Sequence, residues 1–228
     1  QVLTLNNSWA LEPRAGIKWQ FSPKSSFALA YGLHSRMEKM DVYFVKTQGT
    51  GDRSVNKDLG FTKAHHVMLS YGFKISDNAN MKIEPYFQQL YNVPVIADSS
   101  YSVLNRRDFY VENVLVNQGK GRNIGVDITL ERYLYKGLYY MVTASIFDSK
   151  YYGGDRKWRN TLYNRNFIVN VLGGKEWMVG RDKQNIFSMN FKITLQGGDR
   201  YAPVDEAATL LDPDREVQYD ETKAFSKQ

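Results

Sequence analysis

His34, His65 and His66, the carboxylates Asp127 and Glu131, and two clusters that mix guanidinium groups with aromatic rings are the residues whose types and spacing could do chemistry. His65 and His66 are neighbours, and neighbours on a strand point to opposite faces, so a regular strand cannot bring both to one metal. His34 and Ser35 are likewise neighbours rather than a base facing a nucleophile. Asp127 and Glu131 share one side of an alternating run but stand roughly 13 Å apart at the rise of a strand, too far for a glycosidase pair. Gly119-Lys120-Gly121 lacks the third glycine and the helix of a phosphate-binding fingerprint. The chain has no cysteine, which excludes disulfides, thiolate metal sites and cysteine nucleophiles. These residues predict no enzyme, no metal centre and no cofactor.

Binding is a better prospect. Asn105-Arg106-Arg107-Asp108-Phe109-Tyr110 and the stretch from Lys150 to Arg159 combine arginine with tyrosine and tryptophan. Such groups stack on sugars or flat chelators and pair with carboxylates. Arg106, Arg107, Tyr110, Tyr151, Tyr152, Trp158 and Arg159 are therefore the candidate ligand-binding residues. The alternative is that they pack loops together or meet lipopolysaccharide phosphates.

The elements that must position these clusters show in the hydropathy pattern. Ala15, Ile17, Trp19 and Phe21 alternate with Arg14, Gly16, Lys18 and Gln20, which gives a strand with one apolar and one polar face. Seven more runs follow. Phe27 to Leu33 pairs with the first run across the Ser22–Ser25 turn, and His65 to Ile75 joins Met81 to Phe87 across Ser76–Asn80. Ile124 to Leu130 joins Leu138 to Ile146 across Tyr135-Lys136-Gly137, and Phe167 to Val171 joins Phe187 to Leu195 across Gly180–Gln184. Between these hairpins lie connections of up to about thirty residues. Short turns at one end and long loops at the other, with runs of about ten residues, match a transmembrane β-barrel.

A soluble sandwich would show the same alternation, yet it does not usually keep every long connection at one end. Trp19, Phe21, Phe27, Phe73, Tyr135, Tyr139, Tyr140 and Trp177 lie beside the short turns, where an interfacial girdle belongs. The mean hydropathy of -0.49 does not oppose this, because only alternate residues of a barrel meet lipid. The net charge of +6 is spread along the chain, so nucleic acid is not an expected partner. No signal peptide is present, which predicts that one has been removed or that the chain starts inside a longer protein. An open sheet would leave edge groups in lipid, and no strand is expected after Leu195. The expected fold is all-β: about eight strands of a larger transmembrane antiparallel up-and-down barrel.

Several segments together carry a family resemblance over the whole chain: Leu11-Glu12-Pro13-Arg14-Ala15-Gly16, Glu84-Pro85-Tyr86-Phe87-Gln88, Asn123 to Glu131, Ser145-Ile146-Phe147-Asp148-Ser149 and Gly197-Gly198-Asp199-Arg200-Tyr201-Ala202-Pro203. They resemble the C-terminal half of TonB-dependent outer-membrane receptors, of the variety with a carboxypeptidase-regulatory-like extension before the plug. The resemblance implies a barrel of the 22-strand type, in which residues 1–228 form part of one domain. It also implies import of a scarce nutrient of the siderophore, glycan or peptide class across the outer membrane of a diderm bacterium, with TonB-supplied energy. The implied partners are outer-membrane lipid and lipopolysaccharide, the receptor's own plug domain, the TonB complex and a surface lipoprotein. Lumen residues Arg14, Lys18, Glu84, Tyr86, Asp127, Glu131 and Tyr133 are expected to hold the plug. The sequence departs from the complete family in lacking a TonB box, a plug and the closing strands. A passive porin or an adhesin-type structural barrel stays open as an alternative.

Overall fold

The structure is a computed structural model that describes residues 9–46, 55–105, 113–214 and 216–228. One antiparallel sheet dominates it, running β1 (Arg14–Gln20), β2 (Ser25–Arg36), β3 (Thr62–Ser76), β4 (Ala79–Val95), β5 (Val116–Tyr135), β6 (Leu138–Tyr152), β8 (Phe167–Val179) and β9 (Asn185–Gln196) in chain order. The short β7 (Trp158–Asn160) pairs back onto β6. Each long strand is thus a neighbour of the next in sequence, the up-and-down meander that the eight alternating runs predict. No described helix is long and apolar enough to cross a membrane.

Register explains the two faces. Side chains alternate along a strand, so cross-strand partners share a side. Leu130, Val142, Val171 and Ile193 form one apolar row through consecutive pairings. Thr129, Thr143, Asn170 and Thr194 form the adjacent polar row. The polar side is the concave one, since its hollows are lined by Lys18, Gln20, Ser26, Lys82, Thr129 and Glu131 at one level and by Tyr86, Asn123 and Ser145 at another. The apolar side is convex, and Ile17, Leu29, Ile124, Ile146, Phe191 and Ile193 stand exposed on it. Large aliphatic side chains exposed in continuous rows need an apolar solvent.

The short connections, residues 21–24, 77–78, 136–137 and 180–184, all fall at one end. Lys136 and Gly137 both take positive φ, 51° and 72°, as a two-residue hairpin turn requires. A Cβ on Gly137 would also meet the Glu176 carbonyl oxygen. Next to these turns on the convex side, Trp19 packs on Phe21 at 5.4 Å, Phe27 on Tyr71 at 5.3 Å and Trp177 on Phe187 at 5.6 Å. This is the expected girdle with one correction. Tyr139 shares its face with Thr143, so it lies on the concave side and its hydroxyl donates to Asn190 Oδ1 at 2.7 Å.

The opposite end differs from the sequence reading in three respects. β4, β5 and β6 continue well past the expected ten residues, so the loops are shorter than about thirty and Gly119-Lys120-Gly121 lies within β5. The added residues of these strands carry no regular apolar alternation. A second difference is the core: Val42, Tyr43, Val45, Leu59, Val103 and Leu115 of the long connections are buried together with Val93 near the end of β4. Buried Asn56 ties two of these segments by donating to Asn113 O and accepting from Leu115 N, each at 2.9 Å. The third is the polar tail after β9, which folds back on the β4–β5 and β6–β8 connections. Arg200 N donates to Leu162 O at 3.0 Å, Arg165 pairs with Asp199 at 2.7 Å, and Glu221 accepts from Ser100 Oγ. A short helix (Glu206–Leu211), capped by Asp205, belongs to this tail.

β1 pairs only with β2, and β9 only with β8, so both outer edges of the sheet carry free backbone groups among the described residues.

Candidate functional site

The concave face gathers all seven residues expected in the lumen. Arg14, Gly32, His66, Gln88, Asn123 and Ser149 fall in one row through consecutive pairings. Tyr86 lies one row closer to the short turns, then Glu84 opposite Asp127, with Lys18 on the same side. Glu131 and Tyr133 complete the set, the tyrosine hydroxyl donating to Glu131 Oε1 at 2.8 Å. Lys82 pairs with Glu84 at 3.0 Å. Tyr86 reclines across Gly125, where a Cβ would stand 2.6 Å from its hydroxyl oxygen. That close approach is why a glycine interrupts the Ile124-to-Leu130 run.

Sequence reasoning missed the residues that furnish the loop end of this face. Asn123 Nδ2 donates to Gln88 Oε1 at 2.7 Å, Ser149 Oγ to Asn123 Oδ1 at 2.6 Å, and Thr161 Oγ1 to Ser149 Oγ at 2.9 Å. Ser145 Oγ donates to Asp127 Oδ1 at 2.6 Å. Gln88, Asn123, Asp127, Ser145 and Ser149, with His66, Met68, Tyr86, Phe147 and Tyr163, line one hollow of about 420 Å³. Sliding the polar faces of adjacent runs into register would have exposed the Gln88, Asn123 and Ser149 row. His34 and His66 also meet on this face, ring centroids 6.3 Å apart, although they are 32 positions apart in sequence. Among the described residues no three potential metal-binding side chains come together.

Among the described residues, the aromatic and arginine groups expected to bind ligand do not converge. Arg106, Arg107 and Tyr110 lie outside the described residues. Tyr151 and Tyr152 are strand residues rather than loop residues, because β6 continues to Tyr152. Tyr151 is fully buried on the concave side and meets Phe225 of the tail edge-on at 6.1 Å. Arg159 is also buried, its two terminal nitrogens donating to Asp155 at 2.9 and 2.6 Å. Those charge-assisted bonds hold the Asp155 carboxyl below its ordinary pKa. Tyr152 and Trp158 point to the convex side, since Tyr152 is six positions from Ile146 on one strand and pairs with Trp158. Extending the alternation past Ile146 by three steps would have found this.

No family model and no curated protein matches the sequence. Solved structures do. The ferric-catecholate import receptor Fiu from E. coli K12 superposes with a TM-score of 0.53 at 11% identity, over 74% of this chain. FpvAI, solved in complex with pyocin S2, superposes with a TM-score of 0.61 at 10% identity, over 86% of this chain. The sheet has the fold of a TonB-dependent outer-membrane receptor barrel. At these identities the likeness is one of fold, and it takes in only 22% and 23% of the two receptors. A receptor barrel accounts for the polar concave face, the apolar convex face and the girdle together.

Proposed function

We propose that this chain forms part of the wall of an outer-membrane receptor that imports a scarce nutrient with TonB-supplied energy. The carrying observation is the meander with one apolar and one polar face, short turns at one end and interlocked loops at the other, superposable on import receptors. In this reading the receptor belongs to the variety with a carboxypeptidase-regulatory-like extension. Its plug rests against Arg14, Lys18, Glu84, Tyr86, Asp127, Glu131 and Tyr133, and TonB acts through the plug. A surface lipoprotein and lipopolysaccharide are partners at the loop end, in the outer membrane of a diderm bacterium.

The hollow at the loop end supports a narrower cargo class. Its lining sets amides, hydroxyls, phenols and a single carboxylate beside His66, Met68 and Phe147, which suits a neutral cargo with hydrogen-bonding and apolar faces, a glycan or a peptide, better than an anionic iron chelate. The test is a pair of substitutions, Gln88→Ala with Asn123→Ala, in the full-length receptor. Each removes a hydrogen-bonding group worth about 1 kcal/mol, so uptake at limiting cargo should fall roughly thirtyfold for the pair while assembled receptor stays constant. Unchanged uptake of every glycan and peptide that supports growth through the receptor would overturn the cargo assignment.

A further inference from the structure

The convex face carries a group of cations immediately above its apolar rows. Arg122 and Lys150 are direct cross-strand partners on β5 and β6, and Lys120 lies two positions along β5 from Arg122. All three share a side with Ile124, Val126 and Ile146, because they fall at even spacing from them on the same strands. Arg122 is two residues above Ile124, or about 7 Å along the strand. Like charges placed directly opposite on a sheet repel, so the Arg122–Lys150 pair is costly unless an anion comes between them. The protein supplies only part of that counter-charge: Asp148 reaches Lys150 at 3.5 Å, and among the described residues no carboxylate pairs with Arg122 or Lys120. Arg122 Nε is buried without a hydrogen-bond partner.

Two aromatic rings hold Lys120 and Arg122 in place. The Arg122 guanidinium sits 5.5 Å from the Trp158 ring centre and Lys120 Nζ 5.7 Å from that of Tyr152, while the two rings pack at 5.4 Å. Cation–π contact keeps these two charges extended along the surface. Below them begins the surface that acyl chains cover.

We propose that Lys120, Arg122 and Lys150, braced by Tyr152 and Trp158, bind the phosphate groups of a phosphorylated glycolipid in the outer leaflet. The proposal rests on the barrel reading of the fold, and it assigns Tyr152 and Trp158 to lipid rather than to cargo. Height and charge favour this occupant: only a lipid headgroup places phosphate at that level while its chains cover Ile124 and Ile146.

The experiment uses the full-length receptor in detergent micelles, with bisphosphorylated lipid A, its dephosphorylated form and inorganic phosphate as separate additions. Binding is read by native mass spectrometry and by the thermal unfolding midpoint. The wild-type receptor should bind bisphosphorylated lipid A and gain stability from it, and should not respond to the other two. In the Lys120→Gln, Arg122→Gln, Lys150→Gln variant the affinity should fall roughly a hundredfold, at about a factor of five per charge. Equal binding of both lipid forms by the wild type overturns the proposal whether or not the variant folds. So does an equal response to inorganic phosphate, or unaltered affinity in a folded variant. Heat-modifiable migration of the wild type reads the barrel itself, and its absence overturns the reading beneath the proposal.

Discussion

Single side chains decide which solvent each face of this sheet meets. Val142 sits between Leu130 and Val171 in an apolar row, whereas Thr143, one position along, accepts from Asn170 Nδ2 at 3.3 Å in a row that continues to Thr194. An arginine on the lipid side near the bilayer midplane costs roughly 2–4 kcal/mol, while a water-filled lumen keeps the same charge hydrated. Val142→Arg should therefore reduce assembled receptor strongly, and Thr143→Arg should reduce it little, when each is made in the full-length protein and followed by heat-modifiable migration. The reverse order would assign lipid to the concave side. The same counting by twos that separates Val142 from Thr143 also separates Tyr151 from Tyr152, with opposite consequences. One is locked under the tail, and the other faces outward beside Trp158.

At the scale of elements, the hairpin of β6 and β7 is held by one charged clasp. The two Arg159–Asp155 bonds span its tip, and Gly153 N donates to Lys157 O at 3.2 Å across it. Because the folded Asp155 has a pKa below its unfolded value, its contribution is fully present above the unfolded value and is lost as pH falls through the folded one. Amide exchange in residues 153–160, corrected for the intrinsic rate, should therefore rise once the pH drops below about 4. Asp155→Asn should raise it already at neutral pH and remove most of the acid dependence. This clasp also shows where sequence reading stops. The eight alternating runs were legible because one apolar and one polar face impose a period of two. Toward the long connections β4, β5 and β6 lose that contrast between faces, and the period fades at Gly119 and Gly121. The tail was unreadable for another reason: its contacts to Leu162, Arg165 and Tyr151 join residues far apart in sequence through single bonds, with no repeating pattern. The lumen residues were readable as a set, whereas the Gln88, Asn123 and Ser149 network required the register between strands.

For the whole molecule, the edges of the sheet outweigh everything inside it. β1 and β9 each pair on one side only, and every residue of β9 is exposed. Ile186 to Leu195 would present unpaired backbone groups at membrane depth, each costing several kcal/mol in hydrocarbon. The buried cluster cannot offset this, because it gathers around Val93 of β4 and the long connections, away from β1 and β9, and leaves both edges as they are. The remaining way to satisfy the edges is to pair them with further strands, of the same barrel or of another copy. Residues 1–228 expressed alone should therefore fail to give a closed monomer in detergent, and should instead aggregate or associate through β1 and β9. The measurement is heat-modifiable migration on a gel together with light scattering in the same detergent. A monodisperse, heat-modifiable monomer with protease-protected strands would mean that eight strands close on themselves, with Arg14 and Lys18 of β1 brought beside Lys192 of β9 in a narrow, side-chain-filled interior.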